Sequence, residues 1–305
     1  MAVPSESGSF ADILDIRFQR IFDDEYEQIA DMLPELYSFD PTNGREDMRY
    51  SSVGTMKDWN EFTGSVQYQD RTQGYDTVIT PVEFASGFQV RRKLFDDDQY
   101  GIMDARPQSL ATSYGRTRQT HGARIFTNAF SVDNFFYNNS EAVALCSNSH
   151  TTNTTASTAT GFDNLGTAAL TAVAVAAARI QMRKFRGDQA ERISVNPDEL
   201  IYPVDLYERA FEIISAGGKL DVATNNPNVH QGAYRGIEWE YLTDTNNWFM
   251  ADGSLRRQML KWTDRVGVEF AMVEDFDTII AKWRGYSRYA NGHIDWRWIL
   301  GSQVS

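Results

Sequence analysis

The chain has 305 residues, a net charge of −13, and 42% hydrophobic and 13% aromatic side chains, enough for one large domain or two ordinary ones and too apolar for a disordered chain. It has no run of eighteen apolar residues and no basic leader or apolar core in "MAVPSESGSFADILDIRF", so neither a membrane span nor a secretory signal is expected. Cys146 stands alone, which excludes an internal disulfide and a CxxC pair and suggests synthesis in a reducing cytoplasm.

Residues 1–47 carry twelve carboxylates against three arginines, so −9 of the charge sits there and the rest of the chain is near balance. Reading a nucleic-acid sequence needs clustered Lys and Arg, which this distribution does not supply; weak contact through one basic face stays open. In this acidic segment Phe10, Ile13, Leu14, Phe18, Ile21, Phe22, Ile29 and Leu33 recur near helical spacing, predicting an amphipathic arm that ends near Pro34. The arm packs either on its own domain or on another subunit.

From 50 to 94 the character turns to strand, with "YDTVITPVEF" and "GFQVRRKLF" bounded by Gly64, Gly74, Pro81 and Gly87. Few apolar residues are available for a private core, so a long two-stranded excursion leaning on something else is expected. Next, Leu110, Tyr114, Thr117, His121 and Ile125 fall on one face of a long helix, with Asp104 suited to its N-cap and Pro107 to its first turn. Arg116, Arg118 and Arg124 project away from that face. Residues 147–160, "SNSHTTNTTASTAT", read as a polar loop.

Residues 165–186 predict an Ala-rich helix with Arg183, Lys184 and Arg186 at its C-terminal end and Gly187 as its stop. "RISVNPDELIYP" predicts short buried strands around an Asn-Pro turn. Pro203 then opens a helix over "VDLYERAFEIISA", closed by Gly217 and Gly218. A polar loop over 221–236 leads to strands at "IEWEYL" and "WFMA". Finally Ile279, Ala281, Trp283, Gly285 and Tyr289 alternate with Lys282, Arg284, Tyr286 and Arg288, a long strand with one buried and one mostly basic face. Asn291-Gly292 predicts a hairpin, with Ile294, Trp296 and Trp298 on one face of a returning strand. Two rings of ~200 Å² each, worth roughly 5 kcal/mol at about 25 cal/mol per Å², imply a docked tail, on its own domain or on a neighbour.

The residues that usually carry chemistry form no constellation. His121, His150, His230 and His293 show no ligand spacing, and there is no Walker loop, GxGxxG after a strand, or GxSxG elbow. Asp96, Asp97 and Asp98 read as a solvated cluster, and Cys146 as a small buried hydrophobe. No catalytic, metal or cofactor site is expected. An acidic arm and a β excursion that cannot bury themselves point instead to a subunit of an assembly.

The order of these parts resembles the major capsid proteins of tailed double-stranded DNA bacteriophages, with the Mu-like head subunits the nearest branch. "GIMDARPQSLATSYGRTRQTHGARIFTNAF" is similar to that family's spine helix. "ALTAVAVAAARIQMRKFRGDQAERISVNPDELIYPVDLYERAFEII" is similar to its axial domain, and "AKWRGYSRYANGHIDWRWILGS" to its closing peripheral strand. The resemblance implies an α+β fold of the Hong Kong 97 type: an N-terminal arm (1–49), an extended β-hairpin loop (50–94), a peripheral domain with the spine helix and long strands (95–135 and 265–305), and an axial α/β domain (136–264). It implies pentamers and hexamers of an icosahedral or prolate head enclosing double-stranded DNA in the virion, assembled in the host cytoplasm.

Inter-subunit contacts are then expected at Trp59, Phe62, Tyr68, Tyr75 and Phe84 in the loop, and at Phe10, Phe18 and Phe22 in the arm. Arg116, Arg124, Lys282 and Arg284 either face packaged DNA or are solvated. The implied partners are the chain itself, a separate scaffolding protein, a portal protein and a decoration protein, with no membrane. Lys57 and Lys93 lie in or beside the loop, but no motif for a Lys–Asn cross-link accompanies them. Gly87 and Gly101 are expected hinges. An encapsulin-like nanocompartment subunit, or a soluble enzyme or binding protein, are the alternatives.

Overall fold

The computed structural model describes residues 8–66, 68–91, 93–94, 101–217, 228–275 and 280–305, with side chains from residue 16 onward. Its longest sheet has the order β1 (Ser38–Phe39), β10 (Leu260–Asp275), β11 (Ile280–His293), β4 (Val82–Arg91). β10 and β11 run antiparallel from Leu260↔His293 to Asp275↔Ile280, with register shifts on either side of Val266. β4 adds antiparallel to β11, from Tyr289↔Val82 to Ile280↔Arg91. The alternation read at the end of the chain holds along β11: Trp283, Ser287 and Tyr289 are buried, whereas Lys282 and Arg284 are exposed.

Helix α1 (Gly8–Gln28), the single turn α2 (Leu33–Leu36) and helix α3 (Ala105–Thr127) supply the apolar cover. Phe18 of α1 meets Trp283 and Phe88, and Phe22 stacks on Phe270. α3 is buried on two sides rather than on the one predicted. Leu110 and His121 approach the sheet, while Gly115, Gln119, Gly122 and Phe126 face α1, α2 and Trp239. At Gly122 a Cβ would stand 2.2 Å from Leu33 Cδ2, so the close crossing needs glycine. Arg118 therefore does not project outward. It is buried, donates to Asp264 Oδ2 at 2.8 Å and lies over the Trp262 ring at 5.0 Å. Asp104 does stand at the N-cap of α3, but its side chain bonds Arg17 instead of the helix.

The segment 50–94 is built differently from the expected two-stranded excursion. β2 (Met48–Val53) pairs with β3 (Gln73–Ile79), and β3 pairs with β5 (Tyr137–Asn139), whereas β4 belongs to the long sheet. The excursion is the β2–β3 ladder with 54–72 as its tip. Of the expected hinges, Gly87 lies inside β4, where a Cβ would meet the Trp283 carbonyl oxygen at 2.3 Å; it is a close-approach glycine. Gly101 has φ +67°, a conformation that suits glycine, and a Cβ there would make only an ordinary contact with Asp104 Oδ2 at 3.8 Å.

The remaining sheet has the order β6 (Leu165–Gly166), β12 (Ile299–Ser302), β9 (Trp248–Ala251), β7 (Glu199–Tyr202), β8 (Arg235–Glu238). Helix α4 (Ala172–Met182) leans on β9 and β12, and helix α5 (Tyr207–Ile214) on β8. The Ala-rich helix is shorter than predicted because Leu165–Gly166 is spent on β6 and Thr171 caps α4, its hydroxyl accepting from Ala174 N at 3.1 Å. "RISVNPDELIYP" forms one strand, β7; before it Arg192 makes a single bridge to Arg186, and Asn196-Pro197 form no turn between two strands. A short helix α6 (Gly253–Met259), not predicted, is capped by Asp252, which accepts from Ser254 N at 2.9 Å and Leu255 N at 3.0 Å.

Asn291-Gly292 is not a hairpin. Both residues pair within β11, opposite Trp262 and Lys261, and a Cβ at Gly292 would lie 2.9 Å from Tyr137 Cβ. The chain turns over 294–298, and β12 enters the five-stranded sheet instead of returning along β11. Trp296 and Trp298 are buried all the same, on their own domain: Trp296 stacks on His150 and Trp298 meets Phe126 edge-on.

Candidate functional surfaces

The residues read for chemistry are absorbed by the core. His121 Nδ1 lies 2.8 Å from the Tyr289 hydroxyl, and burial, helped by the Arg124 charge, pushes its pKa down to about 4. His150 sits between Glu141 and Asn164, each 3.1 Å away. His293 is buried and likewise pushed down to about 4, by burial first and by the nearby His150 second. Burial raises the Cys146 thiol, the opposite of what a nucleophile needs. Among the described residues no cluster of three or more His, Cys, Asp or Glu is placed to hold a metal ion. Asp96, Asp97 and Asp98 lie outside the described residues.

What the fold leaves uncovered is apolar. At the tip of the β2–β3 ladder Trp59 is 96%, Tyr68 94% and Phe62 70% exposed, around an open cleft of about 460 Å³. Three large rings in water on one loop is a surface built for contact. Tyr75 is half-buried in β3 and bonds the Thr151 hydroxyl at 2.6 Å. Phe84 does not join the tip: in β4 it stacks on Tyr289 at 4.7 Å, partly buried against the chain's own core.

In the arm, Phe18 and Phe22 are both 1% exposed, buried by the chain's own sheet, so they are not free for a neighbour. The side chain of Phe10 lies outside the described residues. The four basic positions do not form one patch. Lys282 and Arg284 alternate with Trp283 and Gly285, whose face is covered by α1 and α3, so they point from the opposite face of the long sheet. Arg116 is exposed on α3, on the helical side. Arg124 is engaged, donating to Asp133 Oδ2 at 2.7 Å and Oδ1 at 2.9 Å, while Lys282 pairs loosely with Asp275 at 3.6 Å.

A further apolar surface escaped the sequence reading: Val173 and Ile180 on α4, and Tyr207 and Phe211 on α5, are exposed. The signal was available, since "AVAVAAARIQM" has no polar stripe and a helix apolar all round is covered on more than one side.

The family described as phage capsid protein matches residues 74–301. The chain belongs to that family. This phage capsid chain shares its fold with solved shells. The mature capsid of bacteriophage PhiM1 aligns at a TM-score of 0.59 and 9% identity, over 88% of this chain and 86% of that one. The capsid of a native GTA particle aligns at 0.55 and 13%, over 91% and 93%. A virus-like particle from Pyrococcus furiosus aligns at 0.52 and 10%, over 94% and 98%. No curated protein sequence matches the chain. The fold is therefore the Hong Kong 97 type, and the chain is a shell subunit, a structural protein of the capsid. The family match extends to phage capsid proteins in general and does not single out the Mu-like branch.

Proposed function

We propose that this capsid chain is the major head subunit, closing into pentamers and hexamers around double-stranded DNA, with residues 54–72 reaching onto an adjacent subunit. The observation that carries the reading is the trio of rings, Trp59, Phe62 and Tyr68, that the chain cannot shelter alone. Residues 1–49 form the arm, the long sheet with α3 the peripheral domain, and the five-stranded sheet with α4 and α5 the axial domain around the ring centres. This assignment takes β12 out of the peripheral 265–305 and β4 out of the 50–94 loop expected from the sequence. Many modest contacts, multiplied by closed symmetry, then make a stable shell. A scaffolding protein, a portal protein and a decoration protein complete the assembly in the host cytoplasm, and Arg116, Lys282 and Arg284 are contacts for DNA phosphate without sequence reading.

The test is the triple variant Trp59→Ser, Phe62→Ser, Tyr68→Ser. It folds as a soluble subunit with unchanged circular dichroism and forms no particles by electron microscopy; shells at the parental yield overturn the reading. Net charge gives a second expectation. At −13 per subunit, repulsion opposes assembly and is screened over roughly 10 Å at 0.1 M salt. Raising ionic strength therefore increases light scattering from the purified subunit, and a fall would contradict it. An encapsulin-like compartment has the same architecture; nucleic acid rather than protein cargo inside purified particles separates the two.

A further inference from the structure

We infer that the outward face of α4 on one subunit docks against the outward face of α5 on a second copy, and that this pairing closes the capsomer ring. The inference rests on the shell-subunit reading and specifies which surfaces meet. On α4 Val173 is 80% and Ile180 56% exposed, and the charges beside them, Arg179, Arg183 and Lys184, are all basic. Arg183 donates to Asn196 Oδ1 at 2.6 Å, which leaves Arg179 and Lys184 without a carboxylate partner among the described residues.

The face of α5 has the opposite sign. Tyr207 and Phe211 are about half exposed there, flanked by exposed Asp205 and Glu208. Its one cation, Arg209, is answered by Glu212 on the same helix at 3.4 Å. α4 leans on the interior strands β9 and β12, whereas α5 lies at the edge strand β8, and both outward faces stay exposed, so neither covers the other within one molecule.

A ring of identical chains needs two unlike, mutually complementary surfaces on each copy, because its contacts are heterologous. One apolar-basic and one apolar-acidic helix face on a single axial domain meet that requirement, and like-charged alternatives, α4 on α4 or α5 on α5, are disfavoured. The close pairs, partly desolvated in the contact, are screened by salt less than the long-range repulsion between whole subunits.

The experiment compares assembly of the full chain with two charge-reversed variants, Arg179→Glu with Lys184→Glu and Asp205→Lys with Glu208→Lys, and with all four changes in one chain. Each pair alone lowers particle yield roughly tenfold at equal protein concentration, and the fourfold variant recovers it. A 1:1 mixture of the two reversed variants can alternate around an even ring but not around a five-fold one, so it yields hexamers without closed shells. Circular dichroism confirms folding of each variant, and Val173→Ser with Phe211→Ser, which alters no charge, lowers yield as well. Parental yields from either reversed pair, or no recovery in the fourfold variant, overturn the inference, as does a different protein bound at the α4 face of intact shells. If particles of the unaltered chain contain no five- and six-membered rings, it is the proposed pentamer-and-hexamer reading that fails.

Discussion

Arg256→Ala destabilises the subunit by about 3–5 kcal/mol, the cost of stranding a buried charge. Arg256 is fully buried, and its Nε and Nη2 donate to Glu199 Oε2 at 2.6 Å and Oε1 at 2.8 Å. Its Nη1 donates to the backbone carbonyls of Glu35 and Leu36, so one guanidinium ties α6, β7 and α2 together. Alanine leaves the Glu199 carboxylate facing no counter-charge at this distance and frees two carbonyls at once. Arg235, the next cation, is 4.0 Å from Glu199 and mostly committed to Glu35, so it replaces little of the loss. The denaturant midpoint of the purified subunit reads the effect. The paired change Arg256→Met, Glu199→Leu recovers most of it, since removing both charges removes the stranded one. A loss below about 1 kcal/mol in the single variant would show that the site is wetter than the structure describes.

Trp298→Ala is expected to cost about 3–5 kcal/mol, as for other large core truncations. The ring is fully buried, packs edge-on against Phe126 at 6.1 Å, and its backbone carbonyl accepts from Asp252 N at 2.9 Å, next to the cap of α6. The indole N–H has no hydrogen-bond partner among the described residues, so Trp298→Phe forfeits only part of the packing and stays within about 1.5 kcal/mol. The comparison of the two variants by thermal denaturation separates volume from polarity. Equal losses would mean that the N–H is in fact bonded.

The sequence made some of this legible for reasons that can be stated residue by residue. Alternation from Ala281 to Tyr289 survived because β4 keeps one register along that whole stretch of β11, and β10 does so up to Tyr286. β10 escaped notice because its register shifts around Val266 break the period-2 signal in "KWTDRVGVEFAMVED". Asn291-Gly292 carries the residues of a tight turn, yet the glycine answers to Tyr137 and Ile79 pressing on β11, a contact over 150 residues long that no local pattern encodes. Arg118 was read as outward on helical spacing alone; the carboxylate that draws it inward, Asp264, is 146 residues away. For the surfaces, Trp59, Phe62 and Tyr68 were legible because they sit in a stretch too polar to bury them, whereas Phe18, Phe22 and Phe84 look the same in sequence and are claimed by the long sheet and α3.

The place of β12 has a consequence for synthesis. It lies inside its sheet, parallel to β6 on one side and antiparallel to β9 on the other, and Asn164 reaches across to the Ile299 carbonyl at 3.1 Å. Until residues 299–302 leave the ribosome, that sheet has a vacant slot between two strands that are already made, with unpaired backbone on both walls. Closing it is a long-range step and therefore slow. Each newly made chain thus passes through an interval in which it carries an open seam, and it becomes a competent building block only once β12 has filled it.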